Sequence, residues 1–229
     1  MYVGTFTRYY QRDWKTIVQQ RFPGAKIVRP SAQGDQVEAP NPEEIRHAVI
    51  RWRSGLSTAL GLEHSWSEED SKPYFTNKPA WDGFGALLLW AAYDDNGIDP
   101  LTRREPVRVD NWTSDPALAR YRDLKAETKY PQLLLGEEMW LPIPAPSVFR
   151  SVDLFGTQRT FGNCESVLRE LELLDRRTWN VIGAVDDERL KNGVENGSSL
   201  EAAARFGWEV MHTLAQEAVR HGVPVILDY

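Results

Sequence analysis

Trp81-Asp82-Gly83-Phe84-Gly85-Ala86-Leu87-Leu88-Leu89-Trp90-Ala91-Ala92-Tyr93, followed at once by Asp94-Asp95-Asn96-Gly97, decides how this chain folds. From Phe84 to Tyr93 no side chain carries a charge or an amide, so a helix here is apolar on every side and belongs inside the molecule. At about 1.5 Å per residue the run spans about 15 Å, half of a bilayer core, so its surroundings are protein rather than lipid. Asn96-Gly97 supplies a left-handed stop, and Gly83 and Gly85 let another backbone come close. The expected architecture is α+β: a single domain over residues 1–229, with several amphipathic helices around a buried central helix at about 81–95 and a small, mostly antiparallel sheet.

Working outward, Asn41-Pro42-Glu43-Glu44 reads as a helix start, with a stripe of Ile45, Ala48, Val49 and Trp52 behind it. Asp115-Pro116 opens a helix to about Ala126, and Asn163 caps one whose apolar stripe is Cys164, Val167, Leu168, Leu171 and Leu174. The capping box Ser198-Ser199-Leu200-Glu201 opens the longest helix, which ends near His221-Gly222. Met1 to Tyr10 reads as an opening strand, Asp13 to Val18 as a short helix, and Ala25 to Val28 and Val107 to Val109 as short strands. Leu133 to Leu135, Met139 to Ile143, Val148 to Phe155 and Val223 to Leu227 read as further strands. Pro142, Pro144 and Pro146 make the second of these an edge strand or end it. Gly61 to Ala80 and Asn180 to Gly197 are long polar connections.

At 229 residues the chain is long enough for one large core, and its single cysteine, Cys164, rules out an internal disulfide framework. The first residues lack the apolar run of a signal peptide, so a cytoplasmic protein is expected. With 33 acidic against 27 basic residues the net charge is −6, which argues against nucleic-acid binding through a general basic face and suits a basic protein partner.

Several chemistries find no pattern here. A phosphate loop, a dinucleotide fingerprint and a Gly-x-Ser-x-Gly elbow are absent, and His47, His64, His212 and His221 have no metal-ligand spacing. Cys164 sits at a helix start, which favours a thiolate, but also on the apolar stripe, which favours packing. Acidic neighbours occur at Asp94-Asp95, Glu137-Glu138 and Asp186-Asp187-Glu188. Adjacent residues on a strand face opposite ways, so such pairs are weak evidence for acid-base chemistry.

An acidic, Trp-rich chain of this kind resembles the bacterial immunity proteins that neutralise toxins of type VI or contact-dependent secretion systems. The likeness is carried by the 81–93 stretch and by His221-Gly222-Val223-Pro224-Val225-Ile226-Leu227-Asp228-Tyr229. It implies a protein that binds a cognate, basic toxin and covers its active site, without catalysis, cofactor, metal, nucleic acid or membrane. Carboxylates on exposed loops would imitate phosphate, and aromatics would fill the interface centre. The residues expected to do so are Trp66, Glu68, Glu69, Asp70, Asp94, Asp95, Asp186, Asp187 and Glu188. The competing readings are a hydrolase or transferase using Cys164 or a carboxylate pair with a histidine, and a homo-oligomeric scaffold.

Overall fold

The computed structural model describes residues 1–11, 42–62, 66–99, 109–144, 148–154, 156–180 and 199–228. In chain order it contains β1 (Tyr2–Val3), α1 (Phe6–Gln11), α2 (Pro42–Ala59), β2 (Phe75–Thr76) and α3 (Ala80–Asn96). A 3-10 helix (Val109–Ser114), α4 (Pro116–Ala119), a second 3-10 turn (Arg120–Arg122) and α5 (Pro131–Leu134) follow. The chain continues through β3 (Met139–Leu141), β4 (Phe149–Val152), β5 (Gln158–Asn163), α6 (Cys164–Thr178), α7 (Leu200–His221) and β6 (Val225–Ile226).

The strands form one mixed sheet in the order β2-β1-β6-β3-β5-β4, antiparallel at each pairing except β3 with β5. Alternation along the strands splits the core in two. Val3, Trp140 and Val225 face a cluster built from α3, α6 and α7, whereas Tyr2, Met139, Leu141, Phe161 and Ile226 face one that contains Phe6 of α1 and Ile45, Val49 and Leu56 of α2. The fold is α+β, with the sheet between two helical layers.

The apolar stretch is the inner helix α3, buried from Gly83 to Tyr93. Gly97 stops it in the left-handed conformation, φ 66°, with its amide turned back to the carbonyls of Asp94 and Tyr93. α7 crosses α3 so closely that a Cβ at Gly207 would run into the Gly83 carbonyl. Asn163 caps α6 through the Ser166 amide at 2.8 Å, and Ser199 caps α7 through the Ala202 amide at 3.2 Å.

Five expectations change. Leu133 to Leu135 are not a strand: Pro131 starts α5, and the Glu170 carboxylate accepts the amides of Gln132 at 2.9 Å and Leu133 at 3.2 Å, so a tertiary partner caps a helix that the local leucines do not announce. The opening strand stops at Val3, because Glu68 accepts the amides of Phe6 at 3.3 Å and Thr7 at 2.8 Å and turns the chain into α1. The helix after Asp115 lasts only to Ala119 before tightening into the 3-10 turn. Within the 61–80 connection, β2 pairs with β1. β3 is interior, between β6 and β5, and ends at Leu141 just before Pro142. The readings at 13–18, 25–28 and 186–188 lie outside the described residues, and Val109 opens a 3-10 helix where a strand was expected to end. No helix among the described residues is long and apolar enough to cross a membrane.

Candidate functional site

The loop that follows α2 separates its anchors from its outward groups. Trp66 is only 4% exposed, its ring 5.8 Å from Phe6 and 6.0 Å from Trp52, and its Nε1 donates to Glu68 at 2.6 Å. Glu68, 5% exposed, takes that bond together with the two α1 amides. Both residues therefore hold the loop from inside, and neither presents the exposed group expected of a partner contact. Glu69 and Asp70 are the carboxylates left outside.

Their main chain is fixed as well. The Arg8 guanidinium donates to the carbonyls of Asp70 at 2.6 Å and Lys72 at 3.1 Å, and the Lys72 ammonium donates to the His221 carbonyl at 2.9 Å. Arg46 of α2 pairs with Asp70 at 2.9 Å. Between loop and helix lies a groove of about 380 Å³ lined by Arg46, Ile50, Arg53, Trp66 and Glu69, among others.

Asp94 and Asp95 are turned inward on the other side of α3's C-terminus. Asp94 accepts from the Tyr130 hydroxyl at 2.6 Å and from Arg177 Nε at 2.7 Å; Asp95 accepts from the Tyr121 hydroxyl at 2.6 Å and from the Lys129 amide at 3.0 Å. Partial burial pushes both carboxyls up, but these bonds and the Arg177 and Lys129 cations outweigh it and hold them below the usual carboxylate range. They tie α3 to the 121–130 segment and to α6, a structural duty rather than a displayed charge. Asp186, Asp187 and Glu188 lie outside the described residues.

A different acid marks the most unusual environment. A partly open cavity of about 510 Å³ is walled by Phe84 and Leu88 of α3, Trp112, Leu133, Tyr9, and the segment Gly136-Glu137-Glu138, with Arg159 and Asp228 completing it. Trp112 packs against α3 at Gly85, where a Cβ would collide with the indole. Glu137 contributes to this lining with only 4% of its surface exposed; its carboxyl oxygens are almost without accessible surface and, among the described residues, have no hydrogen-bond partner outside its own main chain. Burial pushes its carboxyl up to about 8. Glu170, on the α6 side, is pushed up to about 9 by burial and by Glu137, against the opposing pull of the Gln132 and Leu133 amides. An unsatisfied buried polar group costs about 1–3 kcal/mol, so Glu137 is a local cost to stability.

Its neighbour points the other way. Glu138 binds Arg159 at 2.5 Å, and the same guanidinium reaches Asp153 at 3.3 Å. The two adjacent acids, just before β3, thus divide, one buried and one paired with a cation.

The chain matches no known family, no characterised protein and no solved structure.

Cys164 is fully buried, and its thiol bonds to the main-chain carbonyls of Trp140 at 3.1 Å and Val223 at 3.7 Å. Burial pushes its pKa up, the opposite of an activated nucleophile. His212 stacks on Trp208 with ring centroids 4.7 Å apart, and burial lowers its pKa against the pull of Glu172 and Asp175. His221 faces Glu217 at 3.2 Å, and His47 is exposed. No group of three metal-ligating side chains occurs among the described residues. The sequence signal for the cavity is an acid between Gly136 and the apolar strand Met139–Leu141, and that signal separates Glu137 from a surface acid only once the packing is known.

Proposed function

We propose that this chain is a cytoplasmic immunity protein that binds a cognate, basic secreted toxin and occludes its active site without catalysis. The observation that carries the reading is the 66–72 loop: buried Trp66 and Glu68 and the Arg8 and Lys72 bonds fix its main chain, leaving Glu69 and Asp70 outward beside a groove. A loop already held in one shape loses little entropy on binding, and its carboxylates steer and discriminate a basic partner. The net charge of −6 adds long-range attraction of the same sign. The expected surface is thus narrower than the sequence suggests, Glu69 and Asp70 with the groove behind them.

The second reading, a hydrolase or transferase using a carboxylate pair with a histidine, would draw on adjacent acids such as Glu137 and Glu138. It no longer includes Cys164.

Capture of tagged protein from lysate of the source organism, washed at low and moderate salt and read by mass spectrometry, tests the first reading. It expects one stoichiometric basic partner that is toxic when expressed alone and harmless when co-expressed with this chain. A partner whose toxicity is unchanged by co-expression, or the absence of any stoichiometric partner, contradicts it.

A further inference from the structure

We propose that Tyr74 is the aromatic anchor of the Glu69–Asp70 surface and enters an apolar pocket on the basic partner, beside the cations that meet those two carboxylates. The proposal rests on the partner reading above and adds to it the contact that holds the complex together. Tyr74 is 56% exposed, the only Phe, Tyr or Trp that is exposed among the described residues. It supplies the outward aromatic expected at Trp66, whose own ring is turned into the core.

The ring is held in place rather than loose. The Arg8 guanidinium lies 4.9 Å from its centroid, and the Tyr2 ring stacks beside it at 6.3 Å and 23°. Gly4 leaves room for it, since a Cβ there would lie 3.0 Å from the Tyr74 Cβ. The same guanidinium donates to the Asp70 and Lys72 carbonyls, so it couples the ring to the loop that carries Glu69 and Asp70. A tyrosine already fixed in this way loses little rotamer freedom on binding, and tyrosine is among the residues that dominate interface energies.

The surroundings select what the ring meets. The cations beside it are turned onto acceptors of this chain: Arg8 onto two carbonyls, Lys72 onto the His221 carbonyl at 2.9 Å and Arg46 onto Asp70 at 2.9 Å. The carboxylates that face outward are Glu69 and Asp70. A basic partner is therefore met by the loop, whereas a partner cation laid on the Tyr74 ring would meet the like charge of Arg8. An apolar pocket meets no such cost, and it gains the apolar area that Tyr74 leaves in water.

The test is the affinity of the toxin captured from lysate and purified, for Tyr74→Phe, Tyr74→Leu and Tyr74→Ala of the full chain, with Tm as the check on folding. Tyr74→Phe is expected to bind within about threefold of the parent, and Tyr74→Ala at least about thirtyfold more weakly, chiefly through faster dissociation. Tyr74→Leu keeps apolar bulk but gives Arg8 no ring, and it is expected to bind at least about threefold more tightly than Tyr74→Ala. In the unaltered chain, complex formation slows nitration of Tyr74 by tetranitromethane at least tenfold, read by peptide mass mapping, which needs no variant to fold. Full affinity of Tyr74→Ala, or nitration as fast in the complex as in the free chain, overturns the proposal. So does equal weakness of Tyr74→Leu and Tyr74→Ala, which assigns the ring to holding Arg8. With the toxin still neutralised by the parent chain, these results leave the partner reading standing; absence of any partner that this chain neutralises overturns both.

Discussion

Glu137 sets a pH dependence that Asp94 and Asp95 oppose. Its folded pKa of about 8 lies above the value of about 4.3 for an unfolded Glu. Between those values the folded chain keeps a proton that the unfolded chain has released, so this group's contribution to stability falls as pH rises and levels off above 8. Asp94 and Asp95, with lowered pKa values, behave oppositely: their contribution is present above the unfolded Asp value of about 3.9 and is lost as pH falls through the folded one. Glu137→Gln keeps the shape and removes the titration. In thermal melts without added ligand its Tm relative to the parent is expected to rise by several degrees from pH 5 to pH 8, at roughly 2–4 °C per kcal/mol for a chain of this size. A Tm difference equal at both pH values would mean that Glu137 loses its proton at the same pH in the folded and the unfolded chain.

Among the elements, the crossing of α3 and α7 has the least room. Gly207 of α7 faces the Gly83 carbonyl, and a methyl group there meets backbone that cannot swing aside. Gly207→Ala is expected to destabilise by about 1–3 kcal/mol despite the better helix propensity of alanine, a loss of several degrees in Tm. Gly55 of α2 is the control. Nothing lies within 4 Å of the added Cβ, so Gly55→Ala gains about 0.5–1 kcal/mol in the same melt. A neutral Gly207→Ala would contradict the close crossing.

The same elements show what local sequence carries. α3 is readable because nothing but burial suits Phe84 to Tyr93, and α6 and α7 are readable because Asn163, Ser199 and Gly222 perform the capping chemistry that their residue types allow. α5 and α1 are not readable, because the acids that cap them, Glu170 and Glu68, come from 37 to 62 residues away in the chain. The candidate site divides the same way. Glu69 and Asp70 look alike with Glu68 in sequence, and only the reach of Glu68 to α1 makes it an internal brace. Glu137 and Glu138 likewise separate only when β3 and Arg159 fix which way each faces.

At the scale of the whole molecule, one sheet carries two cores, and the 66–72 loop joins the layers around it. Through Glu68 and Arg8 it holds α1, through Arg46 and Arg53 it meets α2, and through Lys72 it reaches the end of α7. Such bracing makes a surface loop into a fixed platform, which a pre-formed binding surface requires. It also separates stability from recognition. The Arg46–Asp70 pair is solvent-exposed, so its loss costs about 0–1 kcal/mol, whereas reversing Glu68 would bury a cation against the amides that α1 directs at it. The most direct measurement is therefore the affinity of the captured partner for the double variant Glu69→Lys, Asp70→Lys, taken together with its Tm. The expected result is at least a tenfold loss of affinity with Tm within a few degrees of the parent; full affinity in that stably folded variant would contradict the role of the loop in binding.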